Sequence, residues 1–363
     1  ANPFYPTNDS YTSMTEAALY GISGDGNLFK PGTLSGSRPQ YVRYSKGQYA
    51  YNPDRNNWAP SVGAAWTIKP SDHAVLKWLR GSEEGDVVIR GGWAMAFQRP
   101  GMSDFTGVFG ANQGIQVALQ TDQNTTTLPI LLRTNPKLPN PPGVALPAFP
   151  AAVTQTGNVY DQNIQMPYTQ SWSGGWQRRL THDSALEIRY VGSVHENDWD
   201  TVNINEVNIN NNGFLNEFRQ AQANLQANIA AGRGATFAYM GAGSGTTPLP
   251  IFLAHFNAQG AANAGNAAVY SGTQWTNATN LGFLALRNPN PWGFATTGAS
   301  GLVGNATFRQ NAITAGLPAN FFVANPDLLG GANLTTNTGA ATRAHSMQVE
   351  FRKRFSQGFA FNT

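Results

Sequence analysis

The chain has 363 residues and carries 23 basic and 20 acidic side chains, which gives a net charge of +3. Only 12% of the residues are charged whereas 11% are aromatic, so the composition excludes a disordered chain, which has too little apolar surface to fold. There is no cysteine and no run of Lys or Arg, which excludes disulfides, thiolate metal sites and a nucleic-acid-binding stripe.

The first elements predicted along the chain are a loop and two strands. Residues 1–40 are rich in turn-forming Gly, Pro and Asn, and we expect a loop there. Tyr41–Tyr51 alternates poorly and indicates at most a weak strand, whereas Trp58–Ile68 alternates cleanly and predicts a strand. Trp58 and Trp66 share its apolar face at about 20 Å, close to the spacing of the two aromatic girdles of a membrane barrel.

The pattern then predicts a strand followed by a hairpin. A polar connection with a short helical turn at His73–Leu79 precedes a strand at Val87–Phe97. Two further strands, 167–180 and 185–194, flank a tight polar turn at Thr181–Ser184. Arg178 interrupts the apolar row of the first of these strands. The apolar faces comprise Val87, Ile89, Trp93, Met95, Phe97, Trp172, Gly174, Trp176, Leu180, Leu186, Ile188 and Tyr190.

Two long excursions separate these strands from one another and from the C-terminal strand. Residues 98–165 are rich in Gln, Asn, Thr and Pro, and we expect long loops there and at residues 195–343. The second contains the one helix that the pattern predicts, near 213–231, with Asn212 as its N-cap and Gly232 at its end. Residues 344–355 alternate again, with Met347, Val349, Phe351 and Phe355 on the apolar side, and Phe359 and Phe361 start a further strand.

The lengths of the connections indicate the fold class. If successive strands run in opposite directions, the short connections lie at one end of the sheet and both long ones at the other. Such sorting is typical of outer-membrane barrels, which have short periplasmic turns and long extracellular loops. We therefore predict an all-β chain whose strands form part of an antiparallel transmembrane β-barrel, with apolar faces toward lipid. Polar side chains expected to face mostly toward the lumen are Arg90, Arg178, Arg179, Glu187, Arg189, Glu350, Arg352 and Arg354.

The last predicted strand is too short for a membrane. Five residues follow the turn Ser356–Gly358, whereas a spanning strand needs about 9–11. Its edge would be unpaired in lipid, which spanning structures avoid. We therefore expect the chain to be a fragment of a longer protein.

Four segments resemble the barrel of TonB-dependent outer-membrane receptors. They are NNWAPSVGAAW (56–66), DVVIRGGWAMAF (86–97), MPYTQSWSGGWQRRL with ALEIRYVGSVHEND (166–198), and HSMQVEFRKRFSQG (345–358). The resemblance is strongest to the Oar-like acidobacterial group, whose members often carry a carboxypeptidase-regulatory-like domain before the plug. The segments NGFLNEFRQAQANLQANIAAGRG (212–234) and GLPANFFVANPD (316–327) resemble loops of that group. The segments match in order from about residue 20 to the end.

The resemblance implies that residues 1–363 belong to a larger barrel of roughly 22 strands. It also implies a plug domain with a TonB-contacting box, neither of which we find in this sequence. The implied partners are outer-membrane lipid, the TonB complex acting through the plug, and a small substrate such as a siderophore, glycan or peptide. The implied location is the outer membrane of a Gram-negative bacterium.

Candidate sites within the chain are weak. Glu196, Asp198 and Asp200 alternate after His195 and could bind a cation such as Ca²⁺, but a solvated strand end is the simpler interpretation. Gly241–Gly245 could suggest a phosphate loop, yet no Lys follows and a flexible loop is favoured. Glu83 and Glu84 lie in a polar connection and are expected to be solvated. The histidines, at positions 73, 182, 195, 255 and 345, show no metal-ligand spacing.

The sequence leaves three functional hypotheses. The first is a TonB-dependent transporter or receptor whose extracellular loops capture a substrate for energised import. The second is an outer-membrane adhesin or structural protein without transport, and the third is a soluble secreted all-β carbohydrate-binding domain. No catalytic motif is present, so we predict no enzyme activity and no cofactor, and ligand-binding residues are not identified.

Overall fold

The computed structural model describes residues 11–38, 40, 42–44, 49–71, 73–98, 107–108, 110, 112, 153–356 and 358–363. The chain divides into two compact units. The sheet unit comprises Tyr51–Phe105, Asp161–Thr201 and Thr335–Thr363. The loop unit comprises Ala1–Ala50, Thr106–Tyr160 and Val202–Leu334.

The described strands are β1 (Tyr11–Ser13), β2 (Val42–Tyr44), β3 (Ser61–Thr67), β4 (Val87–Phe97), β5 (Thr156–Tyr160), β6 (Tyr168–Thr181), β7 (Ser184–Glu196), β8 (Trp199–Asn203), β9 (Gly331–Asn337), β10 (Ala341–Ser356) and β11 (Phe359–Asn362). The α-helices are α1 (Glu16–Tyr20), α2 (Ala74–Arg80), α3 (Phe214–Ala230), α4 (Pro250–Asn257), α5 (Ala278–Phe283), α6 (Pro291–Thr296) and α7 (Ala306–Thr314). Short 3₁₀ helices lie at Gly21–Ser23, Ala261–Asn263, Ala267–Val269, Thr273–Thr276 and Gly298–Ser300.

Six strands form one sheet in the order β3-β4-β6-β7-β10-β11, and every neighbouring pair is antiparallel. This order confirms the predicted alternation of strand direction. The short connections therefore lie at one end of the sheet, and the long connections from β4 to β6 and from β7 to β10 begin and end at the other. Two smaller sheets pair β1 with β2 and order three strands as β5-β9-β8.

The predicted boundaries hold best where the alternation is longest. The strand at Val87–Phe97 and the hairpin are confirmed, and α2 lies where a helical turn was predicted. The prediction for Trp58 is wrong, because β3 begins only at Ser61. The Trp58 backbone N–H bonds to the Asn56 carbonyl, which turns the chain before the strand starts.

The N-terminal prediction of a loop is also incomplete. Within 1–40, the structure has β1, α1 and a 3₁₀ turn, while residues 1–10 and 39 lie outside the described residues. Of the weak strand predicted at Tyr41–Tyr51, only Val42–Tyr44 is extended, and residues 41 and 45–48 are not described.

The two predicted long loops have different outcomes. In the first, residues 99–106, 109, 111 and 113–152 lie outside the described residues, and β5 occupies part of the rest. The prediction of a single helix in the second is wrong, because it contains five, α3 to α7. The observed α3 matches the predicted helix. The predicted N-cap Asn212 is wrong, because the N-cap is Gly213, with a φ of 84°. The Asn212 side chain nevertheless accepts a hydrogen bond from the Phe214 backbone N–H.

Aromatic packing holds the loop unit together. Phe252 is fully buried, and its ring centroid lies 5.6 Å from that of Phe214, 5.6 Å from Phe237 and 4.9 Å from Phe294. These distances are those of offset and edge-to-face aromatic pairs, which stabilise a core beyond simple area burial. Along α3, Phe214, Phe218 and Leu225 are buried in this core, whereas Ile229 is 50% exposed.

Asparagine side chains start the short helices of this unit. The Asn277 side chain accepts a hydrogen bond from the Thr279 backbone N–H before α5, at 2.9 Å. Asn290 does the same before α6, and Asn305 before α7. Each side chain satisfies an N–H group that lacks an intrahelical partner, which contributes about 1 kcal/mol per helix.

Buried asparagines also connect irregular backbone to α3. The Asn224 side chain donates to the carbonyls of Phe237 and Thr247, at 3.2 and 2.8 Å, and accepts from the Thr247 N–H. Asn228 donates to the carbonyls of Thr236 and Ala238. Both residues are at least 99% buried. The backbone groups of this coil make no helix or sheet hydrogen bonds, and the asparagine side chains bond to them instead.

Candidate functional site

One face of the six-stranded sheet is apolar and exposed. Across five strands, the register places Trp66, Ile89, Trp176, Ile188 and Val349 in a single row. The predicted apolar face is thus confirmed. Trp66 is 69% exposed and Val349 54%, so these side chains do not converge in a core within the sheet unit. Exposed apolar area of this kind marks a membrane or protein interface.

A neighbouring apolar row shows close packing of one ring on the sheet. Trp172 lies directly opposite Gly192 on the adjacent strand. A Cβ at Gly192 would come within 2.4 Å of the Trp172 indole Nε1. The indole ring therefore lies over the glycine, and a larger residue at that position would displace it.

The opposite face is polar and ionised, also as predicted. Glu187 and Glu350 lie directly opposite each other on β7 and β10. Two like charges in register are destabilising, and each is offset by an arginine two positions along its own strand. Arg189 Nε lies 3.4 Å from Glu187, and Arg352 pairs with Glu350. A recess of about 360 Å³ on this face is lined by Arg90, Ser173, Gly175, Gln177, Glu187, Arg189 and Arg352.

Arg178 corrects the predicted list of lumen-facing residues. It lies opposite Leu186 and Val87, in the apolar row rather than the polar one. Its guanidinium carbon is 5.5 Å from the centroid of Trp78 on α2, and it donates to the Trp78 carbonyl. Cation–π contact and a backbone acceptor compensate the charge at this position.

A charged cluster fixes the connection before β4. Arg179 contacts Asp86 and Glu83, in both cases at 2.7 Å, and Asp86 accepts hydrogen bonds from the backbone N–H groups of Ser82 and Glu83. Burial raises the pKa of Asp86, but the two N–H donors and the guanidinium outweigh it, and the pKa lies below its usual value. Glu83, predicted to be simply solvated, is exposed and ion-paired.

Asp86→Asn tests this cluster. Because the folded-state pKa of Asp86 is lowered, its stabilisation is present above the ordinary pKa of 3.8 and is lost as pH falls through the folded value. At pH 7 the substitution is expected to cost about 1 kcal/mol, since the partner Arg179 is 46% exposed and solvent screens the ion pair. Hydrogen exchange at the Ser82 and Glu83 amides measures it. An unchanged exchange rate would contradict the assignment, and Glu84→Gln, one position from the pair, is the control.

Each of the three carboxylates considered as cation ligands near the end of β7 contacts a different partner. Glu196 accepts a hydrogen bond from the Tyr168 hydroxyl at 2.5 Å, and Asp198 lies 2.5 Å from His195 Nε2. Asp200 accepts from the Thr201 backbone N–H. Within the described residues, no group of three or more His, Asp or Glu side chains is placed to hold a metal ion. The geometry therefore gives no support to the cation interpretation.

The glycine-rich segment 241–245 is a closed turn. Gly241, Gly243 and Gly245 all have positive φ. The Ser244 hydroxyl donates to the Gly241 carbonyl at 2.6 Å, and Arg233 donates to the Ser244 carbonyl at 2.9 Å. Internal hydrogen bonds thus hold the segment, and it is the end of a coil rather than the start of a phosphate-binding helix.

A cavity of about 380 Å³, which no sequence pattern indicates, lies within the loop unit. Its walls are mostly apolar and include Leu302, Ile313 and Phe322. Arg38 and Asp327 also line it and form an ion pair at 3.1 Å. Volumes of 300–1,000 Å³ with apolar walls and few polar groups are typical of small-molecule sites.

These features define a class of protein. Strands of 11, 14, 13 and 16 residues in β4, β6, β7 and β10 reach or exceed the roughly 9–11 that cross a bilayer. With one exposed apolar face and one ionised face, they form a sheet of the outer-membrane type. None of the described helices is both long and apolar enough to span a membrane.

A family model described as outer membrane beta barrel domain matches residues 2–363, and the chain belongs to that family. The protein is therefore an outer-membrane β-barrel protein of a Gram-negative bacterium. No curated protein and no solved structure shows significant similarity to the chain.

Proposed function

We propose that the chain is part of the barrel of a TonB-dependent outer-membrane transporter, in which the long connections capture a substrate for import. The observation that carries the proposal is the ionised face of the sheet, where Glu187, Arg189, Glu350 and Arg352 lie together. In a plugged barrel this face would contact the plug and the water around it.

In this proposal, the six strands belong to a closed barrel of roughly 22 strands, because a spanning sheet must pair its edges. The plug would contact the TonB complex, which supplies energy from the inner membrane. The long connections would be extracellular, and the substrate class is a siderophore, glycan or peptide. No catalytic step and no nucleic acid is part of the proposal.

The folded loop unit supports substrate capture. Its hydrophobic core includes Leu302, Val303 and Phe322, which also line a cavity of about 380 Å³. A preformed site loses less conformational entropy on binding than a flexible loop does. The chain belongs to an outer-membrane family, which disfavours the soluble carbohydrate-binding alternative.

The test is TonB-dependent uptake by cells that produce the whole protein. Matched cultures with and without TonB receive ferric siderophores, oligosaccharides and short peptides, and depletion of each from the medium is measured. The expected result is that at least one class of compound is depleted from the medium only when both the protein and TonB are present. Surface adhesion without TonB-dependent depletion would overturn the proposal in favour of an adhesin or structural protein.

A further inference from the structure

The cavity of the loop unit is built by α7 and the chain that follows it. Ala306 and Ile313 contribute from the helix, and Pro318, Phe321 and Phe322 from the following segment. Phe322 is 95% buried, and its ring packs edge-on against Phe214 of the core at 5.1 Å. The apolar wall is therefore held by the folded unit itself.

Asp327 brings a carboxylate to this apolar wall. Its side chain is 6% exposed, and its Oδ1 pairs with Arg38 Nη2 at 3.1 Å. Its backbone N–H donates to the Asn325 side chain at 3.0 Å, which fixes the residue in place. The second oxygen, Oδ2, is buried and has no hydrogen-bond partner among the described residues. A buried carboxylate oxygen without a donor is costly, and a ligand that donates a hydrogen bond to it would remove that cost.

The other charged groups around the cavity already have partners. Arg38 donates to Asp327, and Arg309 donates to the carbonyls of Val303 and Gly304. His255 Nδ1 lies 2.8 Å from the Ile251 carbonyl, so this nitrogen carries the proton. Burial lowers the pKa of His255 to about 4, and the ring is neutral at pH 7. The unsatisfied group is thus an acceptor, which favours a ligand that donates.

We propose that this cavity binds a compact ligand that carries an ammonium or another N–H donor on an apolar body, with the donor on Asp327 Oδ2 and the body against Phe322 and Ile313. The occupied arginines disfavour an anion. A neutral alcohol could donate only a weaker hydrogen bond. As a description of the transported substrate, this inference rests on the proposed function, whereas the binding site itself does not.

Binding of 2-phenylethylamine to the full chain in detergent micelles tests the inference, with 2-phenylethanol and 3-phenylpropionate as matched neutral and anionic probes. Isothermal titration is expected to show the amine binding most tightly. Asp327→Asn is expected to weaken amine binding by roughly 10- to 100-fold, because a hydrogen bond to a charged group is lost. Asp25→Asn, at an exposed carboxylate of the same unit, should leave it unchanged.

A second variant covers the case in which Asp327→Asn fails to fold. Ala306 is exposed and lines the cavity, so Ala306→Trp is expected to occlude it and abolish binding with the carboxylate intact. Tighter binding of 3-phenylpropionate, no binding of any probe, or amine affinity unaffected by both variants would overturn the inference. Micelles contain no TonB, so failure here is distinct from failure of TonB-dependent uptake in cells.

Discussion

Met347→Arg is expected to destabilise the protein in a membrane by about 2–4 kcal/mol, whereas Gln348→Arg is expected to be close to neutral. The two residues are neighbours on β10 and lie on opposite faces of the sheet. Met347 is 72% exposed and Gln348 is also exposed, so neither substitution breaks a packed contact. A sheet with water on both faces would tolerate both arginines equally.

The expected size follows from the depth of the row. Met347 lies opposite Tyr190, and the same row continues through Gly174, Gly91 and Ala64. These residues lie near the middle of their strands, so the row falls near the bilayer midplane. An arginine on the lipid face costs most there and little near either interface. On the opposite face, the arginine that replaces Gln348 would join a surface that already carries charges of both signs.

The measurement is reversible urea unfolding of the whole protein in phosphatidylcholine vesicles, read by the shift of its folded band in electrophoresis without heating. Gln348→Arg is the matched control for the added charge and for the strand. Met347→Gln separates the cost of charge from that of lost apolar area. Equal stabilities of the two arginine variants would contradict a lipid-facing assignment.

The sheet was predictable from sequence because each strand shows its own alternation of apolar and polar residues. A period of two in Trp172, Trp176, Ile188 and Val349 places these residues on one face once the strands pair, and the register keeps them there. The error at Trp58 arose because alternation continues beyond the residue at which the chain turns. The lumen-facing prediction for Arg178 is wrong because the residue that receives it, Trp78 of α2, lies 100 positions away in the chain, so the local pattern does not show the contact.

The loop unit was largely missed because its information is not local. Helices of six to nine residues, such as α5 and α7, are too short for a clear helical period. Asn277, Asn290 and Asn305 were usable signals, since each precedes a helix as an N-cap. The cavity had no such signal, because Arg38 and Asp327 are 289 positions apart. Only the folded core of this unit brings them together.

A second large effect is expected from Glu217, which is buried at the start of α3. Its two carboxylate oxygens accept the backbone N–H groups of Ile251 and Phe252, at 2.9 and 2.8 Å, in the first turn of α4. An acidic group suits the N-terminus of a helix, where N–H groups lack partners. Burial nevertheless raises the pKa of Glu217 to about 7, against the effect of the two N–H donors.

Glu217 and His255 impose opposite dependences on pH. Glu217 titrates at an ordinary 4.5 when unfolded, so its stabilisation is complete below that pH and is lost as pH rises to about 7. His255 titrates at an ordinary 6.5 when unfolded and about 4 when folded, so its stabilisation is complete above pH 6.5 and is lost as pH falls. Each amounts to roughly 3 kcal/mol. Between pH 4.5 and 6.5 the two contributions change with pH in opposite directions, so their sum stays nearly constant.

Replacing either residue should therefore reveal the pH dependence that the other residue causes. In the Glu217→Gln variant, the free energy of unfolding of the loop unit is expected to increase by roughly 3 kcal/mol as pH rises from 4 to 6.5. In the His255→Phe variant, which keeps an aromatic ring beside Phe322, the free energy of unfolding is expected to decrease by a similar amount as pH rises from 4.5 to 7. Hydrogen exchange of the amides of α3, corrected for intrinsic rates at each pH, gives the opening free energies. Because the two variants predict slopes of opposite sign, a uniform loss of stability cannot mimic both, and parallel profiles would show that these groups do not titrate as their burial requires.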